Sequence, residues 1–156
     1  MNIFVLSEDP VKAARMACDK HVVKMPTETA QMLSTVLSLH GVNIGYKPTH
    51  AGHPCTKWVG DTLANFRWTV QYGLALCAEY TFRYHRRHKA ENVIRAAARH
   101  KLEGSDLMTP FAQAMPEMYQ GVNAVKAYRR FYSGEKRRFA RWNRGRAAPK
   151  WWKRDV

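Results

Sequence analysis

The sequence predicts an all-α fold, a single compact domain of about five helices around one long central helix, with a short N-terminal arm and a basic, aromatic C-terminal tail. Apolar residues recur at three- and four-residue spacing through most of the chain. No alternating strand pattern occurs beyond the first six residues. The 156 residues are enough for one domain, so we expect no boundary within residues 1–156.

The N-terminal quarter is predicted to hold the arm and two helices. Asn2 to Leu6 is an apolar run that fits a strand or an extended arm. The segment Ser7-Glu8-Asp9-Pro10 is a helix-start signal, and apolar residues keep helical spacing from Val11 to Met25. Pro26 is expected to end or kink this helix, and a second helix follows as far as Leu39.

The remaining chain is predicted to contain one long and two short helices. Residues 41–54 carry three glycines and two prolines and are expected to form a loop. Thr56 is a suitable cap for a long central helix from about Lys57 to Tyr84. Shorter helices are expected over Ala90–His100 and Val122–Tyr132, with a proline-containing loop between them.

Charge is the strongest functional signal of the composition. The chain has 26 Lys and Arg against 12 acidic residues, a formal net charge of +14. Twelve of these cations and only two acids lie between Lys126 and Val156, interleaved with aromatic residues, and the tail 134–156 is strongly basic. A folded polycation of this kind typically binds nucleic acid, although a membrane-surface protein or a basic enzyme is the alternative.

Within this C-terminal segment, cations would contact phosphates and tryptophan rings would stack on bases. The predicted nucleic-acid-binding residues are Arg129, Arg130, Lys136, Arg137, Arg138, Arg141, Arg144, Arg146, Lys150, Trp151 and Trp152. The tryptophans have a second interpretation, in which they hold the tail against the helical core.

Several functional classes are unsupported by the sequence. No apolar run approaches the ~20 residues of a membrane span, so no membrane partner is expected. The three cysteines are expected to be thiols in a reducing compartment. No Walker loop, G-x-G-x-x-G, G-x-S-x-G or H-E-x-x-H motif is present.

The densest polar cluster on a predicted helix lies between Cys18 and Met25. Lys20 and Lys24 share one helix face, with His21 beside them and Glu28 one turn further on; Asp19 is expected on the same polar side. Two like charges at this spacing repel, and an anion above them would relieve the repulsion. The cluster therefore indicates a phosphate site or an active site, or else an ordinary solvated face.

A loop brings two histidines and a cysteine close together in sequence, as His50, His53 and Cys55. With Cys18 and His21 they could supply zinc ligands, but the spacing matches no familiar zinc motif, so we expect no metal and no cofactor. His50 and His53 are instead expected to contact phosphate or to line a pocket.

Four stretches of the chain resemble a family of small bacteriophage proteins, most of which have no assigned function. The stretches are Met1–Phe4 with Asp9-Pro10, Cys18–Met25, Tyr46–His50 with His53–Cys55, and Leu76–Tyr84. This resemblance implies a protein that works in the cytoplasm of an infected bacterial host.

The chain is also similar to the phage pyrimidine-dimer DNA glycosylase/lyase in the order of its segments. These are an arm, a basic helix, a loop with Pro48-Thr49 and Gly52-His53, a long helix and a basic tail. That resemblance implies a metal-free helical domain that kinks damaged duplex DNA and flips a nucleotide. It also implies an N-terminal α-amine that attacks the sugar carbon to give an imine, assisted by a helix carboxylate. An α-amine suits this role because a useful fraction of it is neutral at cellular pH.

Carried over to this chain, the resemblance makes the amine of Met1 the nucleophile, or that of Asn2 if the initiator is removed. A second residue as large as Asn2 favours retention of Met1. The residues implied for proton transfer and for stabilisation of charge are His21, Glu28 and Asp19. The residues implied for phosphate contact and the pocket wall are Lys20, Lys24, His50, His53 and Trp58. Pro26 is expected to interrupt the helix just where Glu28 would be aimed.

The favoured hypothesis is therefore a phage enzyme that acts on a base in DNA, a glycosylase or glycosylase/AP lyase for a damaged or modified pyrimidine. It would bind duplex DNA as a monomer, with the target nucleotide flipped out. One alternative is a non-enzymatic DNA- or RNA-binding phage protein, such as a host-nuclease inhibitor or a packaging accessory. Others are a base-modifying enzyme on the same scaffold and a zinc-dependent nuclease.

Overall fold

Six α-helices and one short 3₁₀ turn make up the regular structure of residues 1–152, the part of the chain described in a computed structural model. They are α1 (Pro10–Met16), α2 (Asp19–Leu39), α3 (Pro54–Asp61), α4 (Leu63–Tyr84), α5 (Glu91–Ala98), the turn Glu117–Tyr119 and α6 (Ala124–Glu135). Residues 1–152 contain no strand, and the all-α prediction is confirmed. The last four residues of the predicted basic tail, 153–156, lie outside the described residues.

Helix α4 is the centre of the domain and packs against α1, α2, α3 and α5. It begins at Leu63, so the prediction of one helix from residue 57 was wrong. Thr62 is extended, and its hydroxyl accepts a hydrogen bond from Asn65 N at 2.9 Å, which caps α4. Asn65 in turn donates to Trp58 O at 2.8 Å. Helix α3 is capped by His53, not by Thr56.

The first two helices meet at Ala17 and Cys18, whereas the sequence predicted a break at Pro26. Pro26 lies inside α2, where proline costs about 3 kcal/mol. The break at Cys18 is stabilised by tertiary contacts, because Cys18 N donates to Tyr132 Oη at 2.9 Å and Asp19 N donates to Arg141 O at 2.8 Å. These partners lie more than a hundred residues away, so local sequence could not indicate them.

Asp19 was expected on an outer polar face, and the structure buries it. Its carboxylate accepts hydrogen bonds from Arg83 Nη1 at 3.1 Å and from Asn143 N at 2.8 Å. Arg83 is itself buried, and it also donates to the Glu79 carboxylate and to the backbone carbonyls of Arg15 and Ala17. The network therefore joins α1, α2, α4 and the C-terminal segment.

The N-terminal arm and the C-terminal segment both pack on the helices. Ile3 to Leu6 are buried, and they form no strand. The rings of Trp142, Trp151 and Trp152 pack around Tyr132, as in the second interpretation of the tail tryptophans. Within residues 1–152, no helix combines the length and apolar character needed to cross a bilayer.

Candidate active site

The N-terminal amine lies against a carboxylate. Met1 N is 2.8 Å from Glu28 Oε1, and the Glu28 side chain is buried. Helix α2 continues through Pro26, and this continuity aims Glu28 at the arm. The second oxygen, Glu28 Oε2, is buried without a hydrogen-bond partner among residues 1–152, and Lys24 Nζ lies 3.8 Å from it. A buried carboxylate oxygen without a hydrogen bond is costly, so Glu28 Oε2 is free to accept one from a bound ligand.

A cavity of about 570 Å³ opens above this pair. Its walls come from the arm, from α2 and from the segment after α6, and they are formed by Met1, Asn2, Phe4, Lys20, His21, Lys24, Met25, Glu28, Lys136, Arg138 and Phe139. Among residues 1–152, four side-chain cations and one carboxylate line it, so the cavity suits an anionic ligand. Its volume lies in the usual small-ligand range of about 300–1,000 Å³.

His21 forms part of the aromatic wall of the cavity. Its ring stacks on Phe4 with centroids 4.4 Å apart and also contacts the rings of Tyr132 and Phe139. Burial, together with the positive charges of Lys136, Lys24 and Lys20, lowers the pKa of His21 from 6.5 to about 3. A neutral imidazole of this kind is a poor proton acceptor near neutral pH, so Glu28 is the better placed group for the proton work expected of His21.

The His21 environment predicts that acid destabilises the fold. The His21 imidazole binds a proton near pH 6.5 in the unfolded chain, but only near pH 3 in the folded chain. Between these values the unfolded state binds more protons, so this contribution to stability is intact above about pH 6.5 and falls as pH drops. We expect wild type to lose about 2 kcal/mol more than His21→Phe between pH 7 and pH 5, measured by urea unfolding. Equal losses in the two proteins would contradict this assignment.

Two lysines of the cavity wall lie over aromatic rings. Lys136 Nζ is 4.9 Å from the Phe131 centroid and 5.6 Å from that of Phe4. Lys20 Nζ is 4.9 Å from the Phe139 centroid. Burial lowers the pKa of Lys136, and the charge of Lys24 lowers it further. The cluster of like charges predicted on α2 is therefore extended by cations from the segment after α6.

Four residues expected at the site do not line the cavity. The Asp19 carboxylate is held in the buried network with Arg83. Trp58 packs against Trp68 and Phe111 in the core. His50 and His53 lie in the loop before α3, where His53 Nδ1 accepts the capping hydrogen bond from Cys55 N. Burial lowers the pKa of His53, and the nearby N-terminal amine lowers it further.

The predicted nucleic-acid-binding cations fall into different environments. Lys136 and Arg138 reach the cavity. Arg146 pairs with Glu79 at 2.8 Å, and Arg129 donates to Leu6 O, so these two guanidinium groups make contacts within the domain. The remaining predicted residues lie along the helix α6 and tail surface: Arg130, Arg137, Arg141, Arg144 and Lys150 are exposed or half-buried, and Trp151 and Trp152 are half-buried.

Three cavity residues were not predicted from the sequence. Phe4, Met25 and Phe139 supply apolar walls, and apolar residues of this kind carry no signal that separates them from core positions. The Glu79–Arg83 pair was also missed, although its i, i+4 spacing within an apolar helix could have indicated it.

No three His, Cys, Asp or Glu side chains within residues 1–152 are grouped so that they could hold a metal ion. His21 is stacked among aromatic rings, while Cys55 donates to Asn2 Oδ1 at 3.5 Å. The zinc ligands considered from the sequence are therefore not brought together.

A family model described as pyrimidine dimer DNA glycosylase matches residues 1–92 of the chain. The matched part contains the arm, α1 to α4 and the first residues of α5, and so it includes both Met1 and Glu28. Comparisons with curated proteins and with solved structures return no significant match.

Proposed function

Because the chain belongs to the pyrimidine dimer DNA glycosylase family, we propose that it is a glycosylase/AP lyase that removes a damaged or modified pyrimidine from duplex DNA. Membership of this family supports a DNA glycosylase-type function in DNA repair. The observation that carries the finer proposal is the Met1 amine, 2.8 Å from a buried carboxylate at the floor of a cation-lined cavity.

The proposed chemistry uses the amine as nucleophile and Glu28 as proton acceptor. The amine first gives a proton to Glu28, and its nitrogen then forms a bond to C1′ of the target deoxyribose. The bond from C1′ to the base breaks, and the base leaves with the electron pair and takes the proton held by Glu28, which is then a carboxylate again. The nitrogen loses a proton, and the bond from C1′ to O4′ breaks with a proton going to O4′, so the open sugar is held as a protonated imine. Loss of a proton from C2′ then expels the 3′ phosphate and cuts the strand, and water hydrolyses the imine to release the amine. Glu28 would also stabilise positive charge at C1′.

The cavity would hold the flipped nucleotide. Extrusion from the duplex costs a few kcal/mol, and the cations Lys20, Lys24, Lys136 and Arg138 would offset part of it through contacts to the flanking phosphates. The stacked Phe4 and His21 rings present an apolar wall to the sugar or base. We further propose that the protein acts as a monomer in the cytoplasm of a phage-infected bacterium.

Borohydride trapping tests the proposed nucleophile directly. With duplex DNA that contains a pyrimidine dimer or an abasic site, we expect a covalent protein–DNA adduct that maps to the Met1 amine. Acetylation of the α-amine should abolish the adduct, because an amide nitrogen cannot form the imine. The adduct would be detected by gel electrophoresis and its site by peptide mass spectrometry.

A competing amine close to the same carboxylate is Lys24 Nζ, 3.8 Å from Glu28 Oε2. The variant Lys24→Gln should still form the adduct at Met1. An adduct that maps to Lys24, or the absence of an adduct with any lesion, would overturn the proposed mechanism, and the second result would favour a non-enzymatic DNA-binding protein.

The cavity cations predict a salt-dependent affinity for DNA. Affinity for DNA falls as salt rises, so log affinity against log salt concentration has a negative slope. Replacing Lys136 or Arg138 by alanine should reduce the magnitude of this slope by about one for each phosphate that is no longer neutralised. Fluorescence anisotropy over a series of salt concentrations would measure both slopes. A matched control is Lys57→Ala, which removes an exposed lysine that does not line the cavity. If all three variants keep the wild-type slope, the cavity does not contact phosphate.

A further inference from the structure

The N-terminal arm is held unusually firmly for a chain terminus, and the contacts that hold it begin at the residue next to the amine. Terminal residues are usually poorly ordered unless something fixes them. Here Ile3 to Leu6 are buried, and Arg129 Nε donates to Leu6 O at 2.9 Å. These contacts fix the arm, but a separate contact is needed to define where Met1 itself lies.

The Asn2 side chain makes that contact with both of its polar atoms. Its Oδ1 accepts hydrogen bonds from Ile3 N at 2.8 Å and from Tyr128 Oη at 3.1 Å, and Cys55 Sγ lies 3.5 Å away as a third donor. Its Nδ2 donates to Ala114 O at 2.8 Å. Helix α3, the loop before the 3₁₀ turn and helix α6 therefore converge on one side-chain amide.

Tyr128 connects this amide to the loop. Its buried hydroxyl shares its proton between Ala112 O at 2.7 Å and Asn2 Oδ1 at 3.1 Å, and it accepts from Ala114 N at 3.2 Å. Burial raises the pKa of Tyr128, so the hydroxyl remains a donor at any working pH. We call the group formed by Asn2, Cys55, Ala114 and Tyr128 the Asn2 anchor.

The position of the Asn2 anchor decides where the amine can lie. Consecutive Cα atoms are about 3.8 Å apart, so a slip of the arm by one residue would carry the amine away from Glu28, which it now approaches to 2.8 Å. Ala114 and Tyr128 lie outside residues 1–92, the part that the family model matches. The C-terminal part of the chain thus positions a group that the N-terminal part supplies.

We propose that Asn2 is a positioning residue, which sets the register of the arm through the Asn2 anchor and so places the Met1 amine on Glu28 for attack. The proposal rests on the proposed function, since it assigns a role in the same reaction. Misplacement of a reacting group by about 1 Å can reduce a rate by about 10²-fold, so loss of the anchor should impair chemistry more than DNA binding.

The test compares Asn2→Leu and Tyr128→Phe with wild type. Leucine has the branching of asparagine without its polar atoms. As a large second residue it also prevents enzymatic removal of the initiator Met1, so the variant still carries the Met1 amine. We expect the rate of borohydride-trapped adduct formation at saturating abasic DNA to fall about 10²-fold in Asn2→Leu and about tenfold in Tyr128→Phe. The DNA dissociation constant should stay within about twofold of wild type, because the cavity cations are unchanged.

A second measurement tests the Asn2 anchor without any reaction on DNA. The rate at which an N-hydroxysuccinimide ester acylates the Met1 amine, followed by mass spectrometry, should rise about tenfold in both variants, because the amine is no longer held on the buried Glu28. The matched control is Tyr84→Phe, which removes a hydroxyl that donates to Asp19 O at 3.2 Å and does not touch the arm. Its acylation and adduct rates should equal those of wild type.

The outcomes separate the two proposals. If wild type forms no adduct, the proposed function fails, and the acylation rates still decide whether the Asn2 anchor places the amine. If wild type forms the adduct but both anchor variants match it in adduct rate and acylation rate, the positioning role is overturned. A parallel loss of DNA affinity and adduct rate would also overturn it, because that result indicates general damage to the domain.

Discussion

Replacing Glu28 by glutamine is expected to lower the single-turnover rate of adduct formation by about 10²–10⁴-fold, the range for loss of a positioned acid or base. Glutamine keeps an oxygen that can accept a hydrogen bond from the Met1 amine, but it cannot take the proton that the amine must lose. It also removes the negative charge that would stabilise the sugar cation. DNA affinity should be retained or increased, because the change removes a carboxylate from the cavity wall. Borohydride trapping and anisotropy measure the two quantities.

The control for this prediction is Glu103→Gln, which makes the same chemical change at an exposed residue that does not line the cavity. Its rate should match that of wild type. A Glu28→Gln protein that reacts within about threefold of wild type would show that no proton acceptor or charge at this position is required, since even a modest general base contributes more.

Replacing Arg83 by methionine is expected to cost about 3–5 kcal/mol in the free energy of unfolding, the usual result of removing one partner from a buried ion pair. The Arg83 side chain is fully buried. It donates to the Asp19 and Glu79 carboxylates and to two backbone carbonyls at the end of α1, those of Arg15 and Ala17. Methionine fills much of the space but leaves Asp19 without its cation. Urea unfolding followed by circular dichroism would give the free energies.

The matched control is Arg67→Met, because Arg67 pairs with Asp106 at 3.4 Å on the exposed surface. An exposed ion pair contributes about 0–1 kcal/mol, so this variant should lie close to wild type. Equal stability losses in the two variants would indicate that the buried network around Arg83 contributes no more to stability than an exposed ion pair does.

The fold class and the cation pair beside the candidate site could be predicted from sequence patterns alone. Helical spacing of apolar residues predicted the α-helices, because the 3.6-residue period places those residues on one face whatever the tertiary arrangement. The repelling pair Lys20 and Lys24 indicated an anion site, and the structure places both on a cavity wall with Glu28. Such a signal is local, since residues three or four apart on a helix are always neighbours.

The start of α2 and the partner of Glu28 depend on contacts between residues far apart in the chain. A local propensity penalty of about 3 kcal/mol predicted a break at Pro26, but the break lies at Cys18 and Asp19, where distant residues accept and donate hydrogen bonds, and α2 continues through Pro26. That continuity brings Glu28 to Met1, and the C-terminal segment adds Lys136 to the same cavity. Contacts between residues far apart in the chain depend on packing that no local spacing specifies, because each is stabilised only when the whole domain has folded.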